Sequence, residues 1–104
     1  MVRLGEVWLV RLDPTVGHEM QKTRPCLVVS PDQLNRHRMC VIVPLTSSEK
    51  RRFRVSTAVM GRPGAAAADQ LRAIDHGRLS RRIGEVDPKV LAAVLSVLRE
   101  MFEE

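Results

Sequence analysis

One junction constrains the fold of this chain more than any other. Thr23-Arg24-Pro25 passes directly into Cys26-Leu27-Val28-Val29, and Ser30-Pro31 closes the run. A short, continuously apolar segment bounded by prolines and polar residues reads as a central strand covered on both faces. The residues before it, Gly17-His18-Glu19-Met20-Gln21-Lys22, are mostly polar or charged and follow Asp13-Pro14, a turn-forming pair. The junction therefore sets the Arg24 guanidinium at the rim of a rigid sheet. A mobile loop carrying an imidazole, a carboxylate and an ammonium arches beside it.

Other segments supply neighbours for that strand. Glu6 to Leu12 is rich in β-branched and aromatic residues and reads as a strand. Met39 to Leu45 reads as another, with Pro44 marking its end or an edge because proline cannot donate to a ladder. Phe53 to Val59 alternates Phe53, Val55 and Thr57 against Arg54 and Ser56, the period of a half-buried strand. Gly61-Arg62-Pro63-Gly64 reads as a turn, Ala65 to Ala68 as a short strand, and Leu71, Ile74, Leu79 and Ile83 as anchors of a mixed stretch.

Two helices are expected. Ser30-Pro31-Asp32-Gln33 has the form of a capping box opening a short internal helix, with Ser30 as cap. Asp87-Pro88 opens a terminal helix, along which Val90, Leu91, Val94, Leu95, Leu98, Met101 and Phe102 form a wide apolar stripe. Strands dominate. The expected fold is mainly β, a small curled sheet or barrel with helices appended, in one domain spanning residues 1–104.

Charge narrows the function. Seventeen Lys and Arg oppose twelve Asp and Glu, for a net charge of +5. Arginine supplies most of that excess and grips phosphates bidentately, which suits a polyanionic partner as well as it suits a solvated basic surface. The cations crowd the middle (Arg36, Arg38, Lys50, Arg51, Arg52, Arg54) and recur at Arg72, Arg78, Arg81 and Arg82. Trp8, Phe53 and Phe102 are the only aromatics, so base stacking is a minor means of grip. Cys26 and Cys40 both lie in apolar runs and read as reduced core thiols. His18, His37 and His76 stand alone, and no metal or other cofactor is expected. No apolar run is long enough to span a bilayer and no signal-peptide pattern opens the chain, so a cytoplasmic location is expected.

No nucleophile elbow, Walker loop or zinc-protease motif is present. Arg24, Thr46, Glu19 and His18 remain, at strand ends or in the first long loop. Each also has an ordinary reading: Arg24 pairing with a carboxylate, Thr46 bonding its own backbone, Glu19 and Lys22 as solvated charges, His18 as an exposed loop histidine.

The segments Gly5-Glu6-Val7-Trp8, Asp13 to Glu19, Thr23-Arg24-Pro25-Cys26-Leu27-Val28-Val29-Ser30 and Pro44-Leu45-Thr46-Ser47 together resemble the MazF/PemK toxin family. Ala67-Ala68-Asp69-Gln70-Leu71-Arg72 resembles its downstream motif, so the likeness runs in order over nearly the whole chain. The resemblance implies a small SH3-like β-barrel, a homodimer, that cleaves single-stranded RNA at short sequences as the toxin of a type II toxin–antitoxin pair. It implies catalytic roles for Arg24 and Thr46, with Glu19 as the loop carboxylate. It also implies RNA contacts from His18, Gln21, Lys22, Thr23, Ser47, Arg51, Arg52 and Gln70. Two readings compete: a CcdB-like gyrase poison acting by protein contact, and a nucleic-acid-binding barrel without catalysis. The first of these does not need the Arg24 and Thr46 pair.

Overall fold

The computed structural model describes residues 1–48 and 51–103. Glu49, Lys50 and Glu104 lie outside the described residues, so of the basic turn expected after Ser48 only Arg51 and Arg52 are placed. Seven strands follow in chain order: β1 (Glu6–Arg11), β2 (Thr23–Val28), β3 (Met39–Thr46), β4 (Arg54–Val59), β5 (Arg62–Ala67), β6 (Arg72–Asp75) and β7 (Leu79–Glu85). A single-turn helix α1 (Asp32–Asn35) joins β2 to β3, and α2 (Pro88–Met101) ends the fold. The strands form one antiparallel sheet in the order β4-β5-β3-β2-β1-β7, with β6 on β3 beside β5. Among the described residues no ladder joins β4 to β7, so the sheet curls toward a barrel and stays open.

The apolar alternation divides the core between two faces. On one lie Val10, Leu12, Cys26, Val28, Cys40, Ile42 and Ile74, with Trp8 and Met20 packed against them. On the other lie Val7, Leu27, Val29, Val43, Leu45 and Ala66, which receive the apolar stripe of α2 through Val90, Val94, Leu95 and Leu98. The α2 start follows its sequence signal: the Asp87 carboxylate accepts from Lys89 N–H at 2.8 Å, and Pro88 needs no partner. Phe102, expected in the stripe, sits past the last turn and is 71% exposed.

Four other local expectations are corrected. Pro44 neither ends β3 nor lies at an edge; it is buried at the centre of the sheet opposite Cys26. The reason is a change of neighbour: β6 pairs with Met39 to Ile42 and β5 with Leu45 and Thr46, so Pro44 falls in the handover, where no donor is required. Arg62, Pro63 and Gly64 belong to β5 rather than to a turn, which Met60 and Gly61 make alone. Gly64 is buried because β5 crosses β3 closely there; a Cβ on it would meet the Thr46 carbonyl oxygen at 2.5 Å. Ser30 does not cap α1. Its hydroxyl donates to Asn35 Oδ1 and accepts from Val41 N–H at 2.9 Å, bracing β2 against β3, while Pro31 takes the cap position. Phe53 stands outside β4, in a left-handed turn at φ 65°.

No helix among the described residues is long and apolar enough to cross a membrane.

Candidate functional site

The β2–β3 register pairs Cys26 with Pro44 and Leu27 with Val43. That ladder stops at Cys26 and Pro44; Arg24 and Thr46 lie two residues beyond it on β2 and β3, Arg24 paired with Val10 of β1 and Thr46 with Ala65 of β5. Residues two apart share a face of a sheet, so both follow Cys26 and Pro44 onto the face that carries the Val10 and Leu12 core. Arg24 is half-buried and its Nε donates to the Gln21 carbonyl at 3.0 Å. Among the described residues it makes no ion pair, so the expectation of a carboxylate partner for Arg24 is not met. That bond uses one of five guanidinium donors and leaves the rest to an incoming anion. Thr46 is 8% exposed, and its Oγ1 accepts from Ser48 N–H at 3.3 Å. Its hydroxyl keeps a proton to donate.

Beside this pair lies a polar cleft of about 440 Å³, lined by Leu12, Val16, His18, Glu19, Met20, Pro44, Asp69, Gln70, Leu71 and Arg72. One wall is the loop between β1 and β2, and it is tied down rather than free. Its neck is closed by Leu12 N–H donating to the Lys22 carbonyl at 2.9 Å, a geometry that holds Lys22 at φ 69°. Arg72 Nη1 and Arg78 Nη1 both donate to the Leu12 carbonyl, at 2.8 and 3.1 Å, and Arg78 reaches the Asp13 carbonyl as well. Within the loop the Glu19 carboxylate accepts from Val16 N–H at 2.6 Å.

The opposite wall is the single-turn segment Ala68–Gln70 between β5 and β6. Asp69 pairs with Arg54 at 3.2 Å and lies 3.9 Å from the largely exposed Arg51. Arg54 also donates to the Ser48 carbonyl at 3.1 Å, holding the tip that follows Thr46. Gln70 reaches across: its Oε1 accepts from Met20 N–H at 3.2 Å and its Nε2 donates to the His18 carbonyl at 3.5 Å.

The residues singled out in the sequence thus fall into groups. His18, Glu19 and Gln70 line the cleft, and Arg24 and Thr46 stand on the adjoining strand ends. Gln21, Lys22 and Thr23 lead from the loop into β2, Ser47 follows Thr46, and Arg52 lies 4.7 Å over the ring of Phe53. Sequence reasoning missed Arg54, Asp69, Arg72 and Arg78 as builders of the site. Strict alternation marks Arg54 as outward-facing, yet its side chain is 4% exposed because it turns back over the sheet to Asp69. A larger groove of about 640 Å³, lined by Val7, Pro25, Leu45 and Val90 among others, lies on the opposite face; Arg24 and Thr46 line neither cavity.

Away from the cleft, burial pushes the Cys26 thiol up to about 12 and Cys40 to about 11, so both are inert core groups, unbridged as the sequence implied. Glu6 is buried at the start of β1. Burial alone would raise its pKa, but hydrogen bonds from Arg3 N–H, the Trp8 indole and Arg82 carry it below the ordinary carboxylate value.

The fold and site define a small basic β-protein: an open, barrel-like antiparallel sheet with a polar cleft walled by the β1–β2 loop and the Ala68–Gln70 turn. Comparison with known proteins gives the class its family. A family model described as PemK-like, MazF-like toxin of type II toxin–antitoxin system matches residues 3–102, and the chain belongs to that family. The chain is 42% identical over 102 residues to Endoribonuclease PemK of Escherichia coli, covering 90% of this chain and 77% of the relative. Its fold is similar to that of MazF (Form-I) from Deinococcus radiodurans, with TM-score 0.85, 31% identity and coverage of 96% and 94% of the two chains. A MazE–MazF structure (Form-II) from the same organism matches with TM-score 0.78 at 30% identity, covering 96% of this chain and 94% of that one.

Proposed function

We propose that this protein is the toxin of a type II toxin–antitoxin pair and an endoribonuclease that cuts single-stranded RNA at short sequences, without ribosome or metal, in the cytoplasm. What supports the reading is that Arg24 and Thr46 lie at neighbouring ends of the paired strands β2 and β3, two residues beyond Cys26 and Pro44, with Pro44 lining the cleft. Family membership supports it, as does the name of the relative from Escherichia coli.

The chemistry follows from what the pair can do. The ribose 2′-oxygen attacks the adjacent phosphorus, its proton passes to a base, and the bond from phosphorus to the 5′-oxygen breaks. That oxygen takes up a proton, so the products are a 2′,3′-cyclic phosphate and a 5′-hydroxyl. Charge gathers on the non-bridging oxygens, where fixed donors are worth about 3 kcal/mol each. Arg24 supplies guanidinium donors there and Thr46 a hydroxyl. A guanidinium does not lose its proton in the working range, so Arg24 acts by electrostatics and not as the base. Glu19 or His18, on the loop wall, takes the proton. His18, Gln21, Lys22, Thr23, Ser47, Arg51 and Arg52 grip the flanking nucleotides, and Gln70 completes the cleft. The family description supports an antitoxin partner, and the reading includes a homodimer.

The test incubates the purified protein with defined single-stranded RNA in EDTA and maps the ends. Discrete cuts bearing cyclic phosphate and 5′-hydroxyl are expected. Cleavage that persists when the scissile 2′-hydroxyl is replaced by hydrogen would exclude the mechanism.

A further inference from the structure

Gln70 does something its neighbours do not. Its side chain spans the cleft and bonds two backbone groups of the facing loop, the Met20 N–H and the His18 carbonyl, which flank Glu19. Its own platform is firm on both sides. Asp69 is held by Arg54, and Leu71 donates its N–H to the Ala68 carbonyl and packs on the core beneath α2. The loop, in contrast, is fastened at its neck by Leu12, Arg72 and Arg78, independently of Gln70. Within the loop the Val16 N–H bond to Glu19 and the Glu19 N–H bond to the Val16 carbonyl close residues 16–19 into one compact turn. A turn closed on itself and hung from a fixed neck still needs its height above the cleft floor to be set.

We propose that Gln70 is the positioning residue that sets this height, and with it where His18 and Glu19 stand relative to a phosphate held by Arg24 and Thr46. The inference rests on the ribonuclease reading above and deepens it. Gln70 acts on the loop backbone, and the RNA meets the loop. The amide suits this role because it offers one acceptor and one donor to a backbone N–H and a backbone carbonyl at once. Glutamate in its place keeps the acceptor for Met20 N–H and loses the donor; alanine loses both.

The experiment compares wild type, Gln70→Ala and Gln70→Glu by amide hydrogen exchange without RNA. It then compares them by single-turnover cleavage of an RNA containing the mapped cut, and by affinity for the same RNA made 2′-deoxy at that cut. In Gln70→Ala the Met20 amide exchanges about tenfold faster, the loss of one well-formed hydrogen bond. The cleavage step slows about tenfold through misplacement of the loop groups, a larger change than any fall in affinity for the uncleavable RNA. Gln70→Glu recovers most of the Met20 protection. Unchanged Met20 exchange in Gln70→Ala, or faster exchange with an unchanged cleavage step, overturns the proposal. So does weakened affinity with an unchanged cleavage step, which makes Gln70 a direct RNA contact. A wild type that cuts no RNA overturns the ribonuclease reading itself, and the exchange data then still decide whether Gln70 holds the loop.

Discussion

The Arg54 guanidinium meets the Asp69 carboxylate at 3.2 Å while its Nη1 donates to the Ser48 carbonyl 3.1 Å away. One nearly buried side chain therefore joins the start of β4, the turn after β5 and the tip of β3. It is the link through which the Thr46 end of the site and the Gln70 wall of the cleft share a common support. Replacing Arg54 by methionine keeps the aliphatic bulk but leaves Asp69 without its close partner and the Ser48 carbonyl without its donor. Asp69 is only partly buried, so the loss of these partners costs about 1–3 kcal/mol. Arg51→Ala, at the exposed and longer contact with Asp69, changes stability by less than about 0.5 kcal/mol. Urea denaturation of both variants checks the contrast; equal small losses would show that the Arg54 pair is mere surface decoration.

Gly64→Ala tests the close crossing of β5 over β3. The added methyl would lie 2.5 Å from the Thr46 carbonyl oxygen and 2.6 Å from Val59 Cγ2, and the backbone contact cannot yield by a rotamer change. Overpacking of this kind costs about 1–3 kcal/mol. Because the atom displaced belongs to Thr46, the role proposed for that residue requires RNA cleavage to fall along with stability. A variant with wild-type denaturation midpoint and wild-type turnover would show that the two strands can separate freely here.

Arg24→Ala addresses the reaction. Arg24 packs no deep core and its resolved partner is the carbonyl of Gln21, so the fold persists, as near-identical circular dichroism will show. On the mechanism proposed above, loss of this donor to the transition-state oxyanion lowers the cleavage rate by about two to three orders of magnitude. A drop confined to affinity, with the cleavage step intact, would instead mark Arg24 as a binding group and favour the nucleic-acid-binding reading.

Much of this architecture was legible in the sequence, for reasons that differ by element. The β2 run Cys26 to Val29 and the α2 start at Asp87-Pro88 carry local signals, an apolar run and a cap with proline, that tertiary packing reinforces. Pro44 misled because a proline rule written for one ladder does not foresee a strand that changes neighbours midway. Gly64 misled because glycine marks a close crossing as readily as a turn. Arg24 and Thr46 were legible as strand-end residues, and the pairing of β2 with β3 brings those strand ends to one side of the sheet. The network behind them was not legible. Arg54 with Asp69, Gln70 with Met20, and Arg72 and Arg78 with Leu12 join residues 15 to 66 positions apart, and no periodicity reports such pairs.

The thiols give a prediction about alkaline stability. Burial holds Cys26 and Cys40 protonated in the fold, at about 12 and about 11, against 9.0 for a free thiol. Stability from these groups is full below pH 9.0 and falls as pH rises from there toward the folded values, because the unfolded chain releases protons that the folded chain retains. In the same range a thiol reagent labels neither cysteine until the protein is denatured. Rapid labelling of the native protein near neutral pH, read by mass spectrometry, would contradict the packing of both residues.

Glu6 gives the acid limb. Its carboxylate is buried, which opposes ionisation, yet bonds from Arg3 N–H at 2.8 Å, Trp8 Nε1 at 3.2 Å and Arg82 Nε at 2.6 Å outweigh that and lower its pKa from 4.5. A depressed carboxylate stabilises the fold above its unfolded value, and the contribution is lost as pH falls through the folded one. Glu6→Gln keeps the shape but removes the charge, so the variant is less stable than wild type near neutral pH. The difference should stay constant down to about pH 4.5 and then shrink on further acidification, as the wild-type carboxyl takes up its proton. Urea midpoints measured across that range check the shape of the curve as well as its height. A difference independent of pH would assign the loss to packing around Trp8, and a difference that grew in acid would reverse the sign of the interaction with Arg82.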